Sequence, residues 1–309
     1  MKKGEAPKIE LVKHIVESFF KKKVELERVK TGVSTYVYRI QLKDKVSYLR
    51  ILPEQNASFA VEVKVHELLI TRGVKVPKII HFEQKNDLLQ LSIMIAEEIN
   101  GSSIEDNTLS NELGEVLFDA GKQLALINQI KMDGYGFINR EMSDTLSGEK
   151  KTFHDYYHEN LDKDIAILPK YHFDQSEINA IRGFLETGFS IMNRKVSRLV
   201  HGDFDGSHIF QSNGLYTGII DFGEIMASSP LYDVGHFKLH DNINGFKPLI
   251  NGYKEVESLT AENDLEIDLW ALFIGVRRLG MIYGRPWNFY HEHLTNSIKK
   301  QLVQLNQTF

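Results

Sequence analysis

Apolar positions in this chain recur at two periods. From Ile9 to Phe20, the residues Leu11, Val12, Ile15, Val16, Phe19 and Phe20 stand at helical spacing, which predicts an amphipathic helix. The period then shortens. Val24 to Val29, Tyr36 to Ile40 and Val46 to Leu52 read as strands, with the turn Lys43-Asp44-Lys45 between the last two. Ser58 to Thr71 returns to the helical period and stops at Gly73, while Lys78 to Phe82 and Leu88 to Ala96 read as further strands. A small antiparallel sheet with one packed helix accounts for this order.

Beyond Asn100-Gly101 the pattern changes. Leu113, Val116, Leu117, Ala120, Leu124, Ile127 and Ile130 form a continuous helical stripe. Helical patterns return at Lys151 to Ile167, Ser176 to Asn193, Phe246 to Val256, Ala261 to Tyr283 and Trp287 to Leu305, and only the region around 198–221 is strand-like. The stretch Gly134 to Glu149 is rich in glycine and polar residues and reads as a loop. The fold class expected is α+β, with a small sheet-bearing part over residues 1–97 and a larger, mostly helical part over residues 98–309.

Composition narrows the classes. The 309 residues include 42% hydrophobic and 26% charged positions, enough to bury two cores and unlike a disordered chain. There is no cysteine, so disulfides and thiolate metal sites are excluded, in keeping with a reducing, cytoplasmic setting. The first twenty residues lack the uninterrupted apolar run of a signal peptide, and no run of about 18 apolar residues predicts a membrane span. A net charge of −5 argues against a nucleic-acid partner and permits a cationic one.

The chemistry concentrates between residues 199 and 224. Leu199-Val200-His201-Gly202-Asp203 ends one apolar run, and Gly218-Ile219-Ile220-Asp221-Phe222-Gly223-Glu224 ends another 18 residues later, with Ile209-Phe210 returning to a strand between them. Each aspartate alone is an ordinary turn residue. Two carboxylates, each closing an apolar strand-like run, suit phosphoryl transfer, one orienting a hydroxyl and the other holding the metal that neutralises phosphate charge. That requires the side chains of Asp203 and Asp221 to converge on one triphosphate.

This pattern resembles the catalytic and metal loops of the aminoglycoside phosphotransferase family, small-molecule kinases with a protein-kinase-like, two-lobed fold. The resemblance implies that Asp203 is the catalytic carboxylate, that His201 braces its loop, and that Asp221 binds magnesium. His208 stands where most of the family has a metal-ligating asparagine. Histidine there is similar to the aminoglycoside 2″- and macrolide phosphotransferase branches, but magnesium prefers oxygen donors, so His208 is either a ligand or a packing residue beneath the site. Pro230-Leu231-Tyr232-Asp233-Val234 matches a further family element, in which Asp233 bonds the catalytic-loop backbone and opens a helix. The short interval from Asp221 to Asp233 leaves no room for a protein-kinase activation segment.

The nucleotide side is marked less sharply. Thr31-Gly32-Val33-Ser34-Thr35 lies between two strands where the family has its phosphate-covering loop, so Gly32, Ser34 and Thr35 are candidates, although a single glycine also fits a plain hairpin turn. Arg50 takes the place of the strand lysine that pairs with phosphates, and Glu62, on the inward face of the following helix, is its natural partner. The match of Glu62 to Leu69 and of Gly73-Val74-Lys75-Val76-Pro77 to the family supports that pair. Glu97, Glu98 and Ile99 resemble the linker whose backbone bonds the nucleotide base.

The resemblance implies transfer of the γ-phosphoryl group of ATP or GTP, with Mg2+, to a hydroxyl of a small molecule, first of all an aminoglycoside-type antibiotic. Asp205 and Glu224, and Asp241 and Glu255 if they face the cleft, would suit an amine-rich sugar. Trp270, Phe273, Trp287 and Phe289 would suit a macrolide if they line a cleft and are not core. A primary metabolite such as choline, homoserine or a thio-sugar fits the same motifs, as does a nucleotide-binding protein without activity.

Overall fold

The computed structural model describes residues 5–30, 34–105, 113–139, 146–193 and 196–308. The chain divides into two units. The first holds Met1–Asn100, Asn139–Leu146 and Thr217–Gly223, and the second holds the rest.

In the first unit, α1 (Ile9–Phe20) is followed by β1 (Glu25–Val29), β2 (Tyr36–Leu42), β3 (Lys45–Ile51), α2 (Ala60–Thr71), β4 (Ile79–Glu83) and β5 (Ile93–Glu97). The strands form one antiparallel sheet in the order β1-β2-β3-β5-β4. Alternation along β3 sorts its side chains between two faces. Leu49 and Ile51 join Tyr36, Tyr38, Ile93 and Ile95 in a core closed by Val12, Ile15 and Val16 of α1. The opposite face packs Leu52 and Met94 against Phe59, at the start of α2. A second helix thus packs on the sheet, beyond the one the strand-and-helix order suggested. α2 stops where Gly73 turns left-handed, at φ 77°.

One expected strand is shorter than its apolar pattern. Of Leu88 to Ala96, only Ile93 onward is β5. The Asn86 side chain accepts the N–H groups of Leu88 and Leu89, both at 3.1 Å, and this Asx turn holds the first half as a loop.

The second unit begins with β6 (Ser102–Ser103), α3 (Leu113–Asn128), β7 (Lys131–Met132), β8 (Tyr135–Ile138) and β9 (Gly148–Lys150). It continues with α4 (Phe153–His158), α5 (Leu161–Ala166), α6 (Gln175–Met192), β10 (Ser197–Val200) and β11 (Ile209–Ser212), and β12 (Leu215–Ile219) passes from it into the first unit at Thr217. β13 (Met226–Ser228), α7 (Tyr232–His240), α8 (Phe246–Lys254), α9 (Ala261–Ile282) and α10 (Phe289–Thr308) complete it. Its core surrounds α9, which packs against α5, α6, α7 and α10 and buries Trp270 and Phe273 completely or nearly so.

Here the sequence pattern misled in two places. Residues 135–138 and 148–150, expected as loop, are strands, and with β7, β10 and β13 they form a sheet in the order β7-β10-β13-β8-β9. Their strands run to two to four residues, too short to establish a period. The helix expected over Lys151 to Ile167 is two helices, parted at Glu159-Asn160, where Asn160 leaves the helical region at φ −132°. Among the described helices none is long and apolar enough to cross a membrane.

Candidate active site

The loop from His201 to His208 joins β10 to β11, and a buried carboxylate fixes its entry. Asp233, in the first turn of α7, accepts the His201 N–H through Oδ2 at 2.8 Å and the Gly202 N–H through Oδ1 at 2.9 Å. Asn128 Nδ2 adds a third donor at 3.2 Å and also holds the Leu199 carbonyl at 3.0 Å. Burial pushes the Asp233 carboxyl up, while His201 and the two loop N–H groups draw it back. Gly202 lies at φ 86°, and a Cβ there would stand 1.9 Å from the Glu224 carbonyl oxygen, so only glycine fits.

The same loop sets Asp203. Its Oδ1 lies 2.8 Å from Arg278 Nη2 on α9 and 3.3 Å from His236 Nε2 on α7. Both contacts fall on Oδ1, and among the described residues Oδ2 makes none. Burial raises the carboxyl, but the His236 hydrogen bond and the Arg278 charge outweigh it and hold Asp203 well below the usual carboxylate range. The side chain is therefore an ionised acceptor with one oxygen anchored.

Histidines brace the loop from beneath. His208 Nδ1–H donates to the Asp203 carbonyl at 2.7 Å. The fully buried His236 donates its Nδ1–H to the Phe204 carbonyl at 3.0 Å. His240 donates its Nδ1–H to the His236 carbonyl at 2.9 Å, and its Nε2 accepts from the Tyr290 hydroxyl at 3.1 Å. Burial and His236 together push His240 down to about 3, so it is neutral near pH 7. Asp205 Oδ1 accepts the Ser207 N–H at 2.9 Å and its hydroxyl at 2.5 Å, closing an Asx turn. One donor atom each from Asp205, His236 and His240 lies within 4.8 Å of the others. Arg278 Nη2, 3.2 Å from His236 Nε2, sets a cation beside that group, and His236 Nδ1 and both nitrogens of His240 already serve hydrogen bonds.

The first unit holds a separate charged group. Arg50 on β3 forms an ion pair with Glu62 of α2 and reaches Asp221 Oδ1 with Nη2 at 3.2 Å. Glu62 is buried and Arg50 largely so, whereas the Asp221 side chain is 46% exposed. Phe59 lies under the Arg50 guanidinium at 5.4 Å. The Asp221 segment is tied to α2 and its following turn: the Ile219 N–H bonds the Lys75 carbonyl at 3.0 Å, and Phe222 meets the His66 ring edge at 5.0 Å. Asp221 turns left-handed at φ 62°, a region that aspartate tolerates better than most residues.

The remaining nucleotide candidates also lie in this unit. Thr35 is buried just before β2 and Ser34 is exposed beside it, while Gly32 lies outside the described residues. The Glu97 N–H donates to the Lys78 carbonyl at 2.9 Å and the Glu98 N–H to the Val46 carbonyl at 3.3 Å. The Glu98 carboxylate accepts from Tyr48 Oη at 3.2 Å. The Ile99 side chain packs close over Gly218.

Comparison with known proteins decides the family. A family model described as "Phosphotransferase enzyme family" matches residues 25–253, most of the chain. The chain belongs to that family. A search of curated proteins gives no match. Among solved structures, the aminoglycoside phosphotransferase APH(4)-Ia, as a thermostable mutant in a ternary complex with ADP and hygromycin B, is similar with a TM-score of 0.71 at 17% identity. The match covers 94% of this chain and 98% of that one. The ADP-bound aminoglycoside phosphotransferase APH(2'')-Ib gives 0.61 at 16% identity, over 96% and 97%. The macrolide 2'-phosphotransferase MphH from Brachybacterium faecium gives 0.63 at 12% identity, over 92% and 95%. At these identities the likeness establishes the fold, α+β and kinase-like.

For this phosphotransferase, several acidic residues expected to attract amines are committed elsewhere. Glu224 pairs with Arg278 at 2.8 Å, and Asp241 accepts the N–H groups of Ile243, Gly245 and Phe246. Trp270 and Phe273 are core, whereas Trp287 and Phe289 are exposed. Sequence reasoning missed Arg278 and His236. The signal for Arg278 was present: Arg277-Arg278 interrupts an apolar helix, and a charge on a buried face needs a partner. Arg277 finds Asp164 at 3.1 Å, and Arg278 finds Asp203.

Proposed function

We propose that the chain transfers the γ-phosphoryl group of ATP or GTP to a hydroxyl of a small molecule in the cytoplasm, with an aminoglycoside as the first acceptor to test. One observation carries this reading. Asp203 is ionised, anchored through Oδ1, and leaves Oδ2 to accept a hydrogen bond from an acceptor hydroxyl. Such a carboxylate orients the hydroxyl for in-line attack and takes its proton as the new P–O bond forms. Complexes of APH(4)-Ia with ADP or AMP-PNP and hygromycin B support the choice of nucleotide and acceptor.

Residues 1–97 would bind the nucleotide and 98–309 the acceptor, with Asp221 acting at the nucleotide end of the reaction. The exposed Asp221 carboxylate is a hard oxygen donor and fits magnesium. His208 fits it less well, because its Nδ1–H already holds the Asp203 carbonyl and its other donor is nitrogen. Bound there, magnesium would neutralise phosphate charge. Arg50, steadied by Glu62, exchanges its bond to Asp221 for phosphate oxygens. Ser34 and Thr35 approach the phosphates through their backbone. In the 97–99 linker the N–H groups of Glu97 and Glu98 are spent on the sheet, so the Ile99 amide and the carbonyls meet the base.

The test is a screen of purified protein with MgATP and MgGTP against aminoglycosides, macrolides and metabolite alcohols. Transfer that depends on both Asp203 and Asp221 supports the reading. Nucleotide binding without turnover to any acceptor or to water would overturn it.

A further inference from the structure

Arg278 is oversubscribed. A single nitrogen, Nη2, lies 2.8 Å from Asp203 Oδ1, 2.8 Å from Glu224 Oε2, 3.2 Å from the Gly202 carbonyl and 3.2 Å from His236 Nε2. An Nη2 group has two hydrogens. The Asp203 carboxylate takes one in a charge-assisted bond, the Gly202 carbonyl accepts from the same nitrogen, and Glu224 is held to the guanidinium by its charge. The guanidinium, 11% exposed, is thereby a fixed bridge between Asp203 and Glu224.

The bridge bears on which oxygen of Asp203 is available. The two carboxylate oxygens are chemically equivalent and exchange when the side chain rotates. Nothing within the loop prevents that rotation: its hydrogen bonds to Asp203 involve the N–H and the carbonyl, not the carboxylate. Among the described residues Arg278 and His236 are the groups that contact the carboxylate, and both contact Oδ1. His236 is fixed by its own bond to the Phe204 carbonyl, so at 3.3 Å it gives the weaker restraint.

We propose that Arg278 is a positioning residue for the phosphoryl-transfer reaction, clamping Asp203 Oδ1 through the Glu224 bridge so that Oδ2 is the oxygen presented to the acceptor hydroxyl. The assignment rests on the proposed transferase function. Among the described residues the partners of Arg278 are the Asp203 loop, Glu224 and His236.

The experiment measures phosphate release from MgATP and MgGTP to water, and transfer to hygromycin B, for the full chain and for Arg278→Met, Arg278→Lys and Arg278→Gly. A misplaced reactive group costs on the order of 100-fold in rate. Arg278→Met should lose about that much in kcat, with the nucleotide KM within about twofold of the parent. Arg278→Lys, with one compact ammonium in place of the planar fork, should fall between. Guanidinium at millimolar concentration should restore turnover to Arg278→Gly without raising its thermal midpoint to that of the parent. If Arg278→Met turns over at the parent rate, or if guanidinium restores only stability, the positioning role is wrong while the transferase reading stands. If the unaltered chain turns over neither nucleotide, the transferase reading fails and this assignment falls with it.

Discussion

Asp233 receives the backbone N–H groups of His201 and Gly202 on its two separate oxygens, at 2.8 and 2.9 Å. The first turn of α7 is thus bolted to the two residues that precede Asp203, and the placement of the reactive carboxylate depends on a group 30 positions further along the chain.

Asp233→Ala should therefore impair both stability and turnover. It leaves two buried N–H groups without acceptors, at about 1–3 kcal/mol each. Urea unfolding should show the loss, and kcat should fall while nucleotide affinity holds. Asp233→Asn, which keeps one acceptor oxygen, should be milder on both counts.

Gly202→Ala tests the loop from the other side. The added methyl group meets the Glu224 carbonyl oxygen at 1.9 Å on a left-handed backbone, so the loop must move. Overpacking of this kind costs about 1–3 kcal/mol. The expected outcome is a lowered thermal midpoint with turnover reduced beyond what the unfolded fraction explains.

Glu62→Ala removes the buried partner of Arg50. Breaking such a pair costs about 3–5 kcal/mol, and the guanidinium then has Asp221 as its remaining carboxylate partner among the ion pairs described. The nucleotide KM should rise and part of the turnover should remain. Asp221→Ala should abolish turnover, and full activity in that variant would refute its assigned place at the metal.

The His240 imidazole gives a pH dependence. Its folded pKa is pushed down to about 3 from an ordinary 6.5. As pH falls below 6.5 the unfolded chain takes up a proton that the folded chain refuses. The stability present above that value is lost progressively toward about pH 3. Thermal midpoints measured from pH 7 to pH 4 should fall less steeply in His240→Gln than in the parent chain.

Much of this was legible in the sequence where period and length agree. The long apolar stripes of α3, α6, α9 and α10 and the alternating β2 and β3 stand where the pattern puts them. The two- to four-residue strands β6 to β9 carry no readable period, and the Asn86 turn overrides an apolar run through one side chain. At the site, the Arg50–Glu62 pair followed from a carboxylate on an inward helix face. Arg278 and His236 did not, because they are brought to Asp203 by the packing of α7 and α9 and stand 75 and 33 positions from it in sequence. The neutralisation of Glu224 by the same arginine was hidden for the same reason.

The central claim is that Asp203 orients and deprotonates the acceptor. Phosphorus NMR of MgATP or MgGTP incubated with hygromycin B tests it most directly. The account predicts a phosphomonoester resonance with the parent chain and none with Asp203→Asn, which should still bind nucleotide as tightly. An equal rate of phosphomonoester formation by Asp203→Asn would contradict it.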